Sequence, residues 1–386
     1  MTLIRFSSRG ARVTRRTLVR LAACAALLSA LAACSTLRYT AHVARGQLSL
    51  LAHRQSVARI INDPGADDTL RTRLRQAQAA RVFASDQLAL PRNRSYTTYV
   101  DLHRTSVTWN VFAAPEFSVE PIEHCFPFAG CVAYLGFFDR ARADDAAAAI
   151  RAKGNDVAVE GAAAYSTLGW FADPILSSML RWDDDELDGV IFHELAHQRL
   201  YIQDDTAFNE SFATFVQQEG LRQWRVSRGE EVTGSHADGF DRAVTELALE
   251  LRERLRGIYS RSLPPDDMRA QKASGVAAFR LRFYALRDGR WAGDTRYERW
   301  VAGRVNNASL VPFGLYDRWT SAFSAIFERA GHRWAPFYDD VTALSHLPRM
   351  QRDCTLISLS IQTRSSDVPS TDCPDQDPGG GATLSH

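Results

Sequence analysis

Most of the chain repeats apolar residues at the spacing of an α-helix, whereas a shorter central part does not. Residues 40–61 and 68–88 carry such stripes on either side of a Pro-Gly turn, which predicts a helical hairpin. Residues 237–260 and 266–286 repeat the pattern and predict two long amphipathic helices. The chain is therefore expected to be mostly helical.

The central part alternates apolar and polar residues and is rich in aromatic and β-branched ones, which predicts strands. An Ala-rich helix is expected at residues 144–152, where Gly154 ends it. Helical and extended segments together predict an α+β fold, mostly helical with a small mixed sheet. The expected strands are residues 96–102, 106–113, 132–138 and 156–160.

The helix predicted for residues 187–200 contains an H-E-x-x-H pattern, formed by His193, Glu194 and His197. Helical spacing places the two histidines one turn apart on the same face, so both imidazoles can reach one Zn²⁺ at about 2.0–2.1 Å. Glu194 can then reach a water held on that metal. The acidic residues 183–186 suit the start of this helix.

A third ligand is expected, because catalytic zinc usually has three protein ligands and an open position. Residues 206–220 predict a second helix, in which Glu210 lies among aromatic and small residues. A buried carboxylate there is costly unless it is paired or binds a metal. Glu210 is therefore the predicted third ligand. Glu219 is the alternative, although it is more typical of an exposed helix end.

The motif His193-Glu194-x-x-His197, followed by Asn209-Glu210, resembles the gluzincin branch of zinc peptidases, although the linker is longer in the best-known members. Other segments are similar to the bacterial, lipoprotein-like family described as predicted aminopeptidases. This resemblance covers most of the mature chain. It implies a zincin-like metallopeptidase domain with one Zn²⁺ per chain and peptidase activity. The similar segments are residues 95–97, 164–174, 193–220 and 306–310.

Such a site implies hydrolysis in which Glu194 takes a proton from the attacking water and passes it to the leaving amine. A further donor should stabilise the oxyanion, and related peptidases place a Tyr or His from the C-terminal half there. Tyr316 is the candidate, and Tyr201 and His332 are alternatives. Asn209 is expected to orient the second helix or a ligand.

Substrate binding is expected along residues 164–167, as an edge strand that lines the active-site cleft. Such an edge can bind an extended peptide by main-chain hydrogen bonds. The candidate substrate-binding residues are Ala164, Tyr165 and Ser166.

Three functions remain open at this point. The first is an aminopeptidase, favoured by an acidic group that holds the substrate amine; Glu160 or Asp173 could serve. The second is a zinc endopeptidase in envelope protein turnover, with an open cleft. The third is a non-catalytic envelope scaffold. Catalysis is favoured because all the motif residues are present.

The N-terminus has the features of an export signal. Six arginines precede a short apolar stretch, residues 21–33, which ends at a lipobox-like Leu-Ala-Ala-Cys with Cys34 last. We expect cleavage before Cys34 and lipidation of its thiol. Because Ser35 is not the Asp associated with inner-membrane retention, the periplasmic face of the outer membrane is the expected location. A twin-arginine pattern at Arg15 and Arg16 leaves the export route open.

Composition changes this interpretation little. The net charge of +1 and the 45% hydrophobic content are ordinary and give no reason to expect nucleic-acid binding. Export makes disulfides possible, and Cys125 with Cys131 is the plausible small loop; Cys354 with Cys373 could hold the tail. The expected divisions are a signal peptide (1–33), a helical hairpin (34–92), the metallopeptidase domain (93–350) and a largely disordered tail (351–386).

Overall fold

The computed structural model describes residues 37–126, 130–167, 169–230 and 236–363. The strands are β1 (Gln55–Ser56), β2 (Thr98–Val100), β3 (Thr108–Ala114), β4 (His124–Phe126), β5 (Gly130–Val132), β6 (Tyr134–Phe137), β7 (Asp156–Ala162) and β8 (Ile175–Leu176). The helices are α1 (37–52), α2 (Val57–Asn62), α3 (Asp68–Asp86), α4 (Arg140–Arg151), α5 (Asp184–Arg199), α6 (Thr206–Ser227), α7 (His236–Tyr259), α8 (Pro265–Gly289), α9 (Glu298–Ala302), α10 (Val311–Tyr316), α11 (Thr320–Arg329), α12 (Trp334–Ser345) and α13 (Arg349–Thr363). The expectation of a mostly helical α+β chain with small sheets is confirmed; the zincin-like fold stays a prediction.

The first helix of the predicted N-terminal hairpin, residues 40–61, is divided in the structure into α1 and α2. Helix α1 belongs to one unit of the structure, and the described elements from His53 onward belong to a second. The long first helix is interrupted because Gln55 and Ser56 pair with β2 as strand β1. Ser56 also accepts a hydrogen bond from the Arg59 N–H and so begins α2. A two-residue strand depends on a distant partner, which helical periodicity does not reveal.

The described part of the second unit contains three small sheets. In the first, β2 lies between β1, antiparallel to it, and β8, parallel to it, so this sheet is mixed. In the second, β3 lies between β6 and β7, and both pairings are antiparallel. The third is the hairpin of β4 and β5, in which a disulfide joins Cys125 to Cys131.

The β6-β3-β7 sheet separates two packed layers. Side chains of a strand alternate between its faces. Helix α4 contacts all three strands, and its apolar side buries Ala143 and Ala147. On one sheet face, Phe112 and Ala158 pack with Leu315 and Tyr316 of α10. This sheet therefore supports the segment that carries Tyr316.

The strand predicted at residues 164–167 does not form. Strand β7 ends at Ala162, and the following residues are a loop. The Thr167 N–H donates to Asp173, and Tyr165 packs its ring against Phe138. Local hydrogen bonds within the loop thus replace a ladder with a neighbouring strand. The predicted substrate-binding role depended on a strand edge at Ala164, Tyr165 and Ser166. The structure has no strand at these residues.

The predicted tail also begins too early. Helix α13 extends over Arg349–Thr363, with Leu356 and Leu359 buried. Its Arg352 forms a buried ion pair with Asp205 at the start of α6. This helix forms because its apolar stripe packs on α11. The polar composition further along the chain masks this stripe in the sequence. Cys34 and Cys373 lie outside the described residues, and within these no helix is long and apolar enough to cross a membrane.

Candidate metal centre

Helix α5 begins at a capping box and buries a continuous apolar side. The Asp183 carboxylate accepts from the Glu186 N–H, and the Glu186 carboxylate accepts from the Asp183 N–H, so two backbone N–H groups at the start of the helix are satisfied. Its apolar residues pack against α3 and α6 and turn His193 and His197 inward. These apolar residues are Leu187, Ile191, Phe192, Leu195 and Ala196.

Two glycines allow α5 and α6 to approach closely. A Cβ on Gly189 would lie 2.8 Å from a Leu221 methyl carbon, and one on Gly220 would lie 3.1 Å from the Phe192 ring. Real Cβ atoms essentially never come as close as the first of these distances. The two helices run antiparallel, so the second half of α5 faces the first half of α6. Glu210 is thereby brought to the two histidines.

Three ligand atoms converge between these helices. His193 Nε2 lies 3.1 Å from His197 Nε2 and 3.3 Å from Glu210 Oε2, and His197 Nε2 lies 3.5 Å from that oxygen. Tetrahedral zinc with bonds of about 2.0–2.1 Å requires ligand atoms about 3.3–3.4 Å apart. All three residues are buried. In the described part of the chain, they form the group that could hold a metal ion, and both spacing and donor types fit zinc.

The electrostatics of this group favour a charged carboxylate. Burial by itself raises the pKa of Glu210, but the adjacent imidazoles of His197 and His193 outweigh it and hold the pKa well below its usual range. Burial lowers the pKa of His197, but Glu210 and Glu194 together outweigh burial and raise this pKa above its usual value. Hydrogen bonds and positive charge from the two imidazoles therefore stabilise the carboxylate anion, and a metal ion would also supply positive charge at this position.

Glu210 is held in place by the start of its own helix. Asp205 caps α6 by accepting from the Phe208 N–H, and its other carboxylate oxygen pairs with Arg352. Asn209 donates to the Ile202 carbonyl at 2.6 Å and accepts from the Ile202 N–H at 2.8 Å. Asn209 thus closes the loop between α5 and α6, the orienting role expected of it.

A partner of the first histidine was missed by the sequence analysis. Gln217 Oε1 lies 3.1 Å from His193 Nδ1, the ring nitrogen opposite the convergent one. A hydrogen bond at this position fixes the orientation of a ligand imidazole. Gln217 lies seven residues after Glu210, two helical turns along the same side of α6, and this spacing was the available signal. His197 Nδ1 is buried without a hydrogen-bond partner among the described residues.

Glu194 is half-buried between the two buried histidines. Its charge acts on Tyr96 and Asp173, so both lie near it. Tyr96 is fully buried, its backbone has φ 63°, and its hydroxyl has no partner among the described residues. A left-handed backbone at a bulky residue is strained and tends to be found at functional sites. Tyr96 therefore belongs to the surroundings of Glu194.

Tyr316 also lies beside the histidines, with its ring centre 6.0 Å from that of His193. Burial, and after it Glu210, raise its pKa well above the usual value, so the phenol stays protonated and can donate a hydrogen bond. Its neighbour Leu315 accepts from the Ser211 hydroxyl at 2.8 Å. Because Ser211 follows Glu210, the same turn of α6 positions the carboxylate and Tyr316.

The Asn306-Asn307 segment anchors α10 on the sheet. Asn306 donates to the Val157 carbonyl at 3.3 Å, and Asn307 donates to the Pro115 and Glu116 carbonyls at 3.0 and 2.9 Å. These bonds join the approach to α10 to β7 and to the segment after β3. They hold the segment that leads into α10, the helix that ends at Tyr316.

The alternative residues occupy other places. Tyr201 is partly exposed, with its ring 6.4 Å from that of His197. His332 lies exposed in the turn after α11 with its ring against Phe327. Glu219 pairs with Arg222 along α6 and does not belong to the convergent group.

The fold and this centre define a candidate metalloprotein. Its buried His-His-Glu group could bind a metal ion, and Glu194 and Tyr316 lie beside that group. The family model described as "Putative aminopeptidase" matches residues 38–356, most of the chain. The chain therefore belongs to this family, as its motifs predicted, and the family description indicates a peptidase. No curated protein and no solved structure matches the chain.

Proposed function

We propose that this protein is a zinc-dependent aminopeptidase that holds one Zn²⁺ per chain through His193, His197 and Glu210. The observation that carries the proposal is the convergence of three buried ligand atoms, 3.1–3.5 Å apart, beside Glu194. A surface helix with two chance histidines would leave these groups exposed and unordered. Family membership supports the hydrolysis of peptides.

A zinc ion held by His193, His197 and Glu210 would supply Lewis-acid chemistry, lowering the pKa of a bound water toward about 7 and polarising the scissile carbonyl. Glu194 accepts a proton from the attacking water and delivers it to the leaving amine. The phenolic O–H of Tyr316 donates a hydrogen bond to the oxyanion that forms on the carbonyl. Gln217 keeps the His193 ring in its orientation, and Ser211 keeps Tyr316 at a fixed distance from Glu210.

We also propose that the chain is exported and anchored by a lipid on Cys34 at the periplasmic face of the outer membrane. Its substrates would be peptides in that compartment. The lipobox-like sequence supports this location, and the disulfide between Cys125 and Cys131 fits an oxidising compartment. A Cys34→Ser chain is expected to leave the membrane fraction and to incorporate no labelled lipid. A wild-type chain without lipid would contradict the anchor.

The activity is tested on the full-length protein beside its Glu194→Gln variant. We expect about one zinc per chain in both, because Glu194 is not a ligand. In a mixed peptide library read by mass spectrometry, the wild type alone should remove single N-terminal residues. Chelation should abolish this activity, and added Zn²⁺ should restore it.

Other outcomes of this experiment point elsewhere. Internal cleavages would make the protein an endopeptidase of envelope proteins. Zinc bound without cleavage in either form would favour a scaffold. A chain that binds no metal in the presence of excess zinc would disprove the central claim.

A further inference from the structure

Glu160 is a carboxylate that the proposed hydrolysis does not use. It lies on β7 opposite Asn110 of β3, two residues after Ala158. Alternation along the strand places Glu160 and Ala158 on the same sheet face, and Ala158 packs in the cluster that includes Tyr316. The charges of Glu160, Glu194 and Glu210 all act on Tyr316. Glu160 is therefore near the reacting groups.

Its surroundings make this carboxylate costly to ionise. Burial raises the pKa of Glu160 to about 7, and no described residue donates a hydrogen bond to it or forms an ion pair with it. A carboxylate that is partly removed from water and has no partner in the described residues is unfavourable in a stable fold unless it serves a cation. The residue is half-buried overall, and the adjoining Gly161 is exposed. A ligand can thus reach it.

Asp173, the other acid that the sequence left open, is already engaged. It accepts from the Thr167 N–H at 3.0 Å, the Thr167 hydroxyl at 2.7 Å and the Ser166 hydroxyl at 3.3 Å. Its carboxylate thereby organises the loop after β7. Glu160 has no such contacts in the described residues, so the structure distinguishes two acids that the sequence could not.

Peptide geometry limits where an amine site can be. The nitrogen of an N-terminal residue lies about 2.5 Å from the carbonyl carbon of that residue, because only two bonds separate them. When the first peptide bond is cleaved, the free amine must therefore lie beside the group that stabilises the oxyanion. Glu160 lies on the sheet face that packs against Tyr316, and its charge acts on that tyrosine, so it is placed where this requirement can be met.

We infer that Glu160 binds the protonated α-amino group of a peptide and so directs cleavage to the first peptide bond. The inference rests on the proposed function and gives the site its substrate class, peptides with a free N-terminus. A blocked N-terminus offers no charge to this carboxylate and leaves it without an ionic partner. Free peptides should therefore bind more tightly than N-acetylated ones.

The test measures binding, which does not depend on turnover. Full-length, zinc-loaded Glu194→Gln protein is titrated calorimetrically with trialanine and with N-acetyl-trialanine, with and without the further change Glu160→Gln. Loss of a buried charge partner should weaken trialanine binding about 30-fold or more. Binding of the acetylated peptide should be unchanged. Glu160→Asp should recover part of the loss, because it keeps the charge.

Asp317→Asn provides the matched control. Burial also raises the pKa of Asp317, to about 6, but its charge acts on Tyr297. This variant should bind both peptides as the parent does. Equal weakening of both peptides by Glu160→Gln, or no change in either, would overturn the inference. Failure of the proposed function would appear separately, as zinc-loaded wild type that hydrolyses neither peptide.

Discussion

Two antiparallel helix pairs of this protein have different interiors. Between α7 and α8 the packed side chains are apolar, and the Phe240 and Phe283 rings lie 6.1 Å apart where the start of one helix meets the end of the other. Between α5 and α6 the interior also holds apolar side chains, but a polar group is buried among them, formed by His193, His197 and Glu210. Short loops, residues 200–205 and 260–264, connect both pairs.

The difference shows what each pair contributes. Apolar burial between α7 and α8 stabilises the fold directly, by about 25 cal/mol per Å² of apolar surface. Polar groups between α5 and α6 stabilise nothing unless each one finds a partner. The buried histidines and Glu210 contact one another and Gln217, and their ligand atoms surround a position that fits a cation. A buried polar group in one of two similar pairs therefore marks the chemical site.

The largest expected effect is a loss of stability in the α7–α8 pair that leaves the metal centre unchanged. Phe283→Ala should lower the free energy of unfolding by about 3–5 kcal/mol, because it leaves a cavity in the α7–α8 core. Urea denaturation measures this change. Zinc content and turnover per folded molecule should stay as in the wild type. Loss of zinc from the folded variant would show that the two pairs are coupled.

A smaller effect is expected inside the α5–α6 pair. Gln217→Leu keeps the size of the side chain but removes the hydrogen bond to His193 Nδ1. Zinc affinity, measured by competition with a chelator, should fall about 10–100-fold. Gln218→Leu is the control, because Gln218 is the exposed neighbour on the same helix. An equal loss in both variants would contradict a specific role for Gln217.

The smallest expected effect concerns pH. Asp188 on α5 accepts from Trp224 Nε1 and Gln76 Nε2, and burial raises its pKa to about 6 from 3.8. Between these values the folded state binds more protons than the unfolded state, so stability falls as the pH rises from about 4 to 6. The loss from this group should be on the order of 1–2 kcal/mol.

Asp188→Asn removes the titrating group and tests this expectation. Urea denaturation at pH 4.5 and pH 7.5 gives the change in unfolding free energy for each protein. The change should be less negative in the variant than in the wild type. Identical pH dependence in the two proteins would show that Asp188 does not titrate as described.

Local patterns predicted the parts of the site that one or two helices contain. The spacing of His193 and His197 requires only a helix, and Glu210 was recognisable as an acid in an apolar segment. Tyr316 was inferred from a required role, and the structure places it 6.0 Å from the His193 ring, measured between ring centres. Its function as an oxyanion donor stays a prediction.

Other parts depended on contacts between distant segments. Strand β1 exists because of its pairing with β2, and residues 164–167 form a loop because Asp173 takes their hydrogen bonds. Arg352 reaches Asp205 across more than a hundred residues of sequence. None of these partners follows from a local pattern of apolar and polar residues.

The sequence by itself determined the helical content, the ligand types and their one-turn spacing, because backbone periodicity and donor chemistry are local properties. The tertiary structure decided which buried acid was free and which was engaged. Glu160 and Asp173 are equivalent in the sequence, but three hydrogen bonds from Thr167 and Ser166 occupy only Asp173. The availability of a carboxylate depends on the donors that folding brings to it, and these donors are known only when the chain is packed.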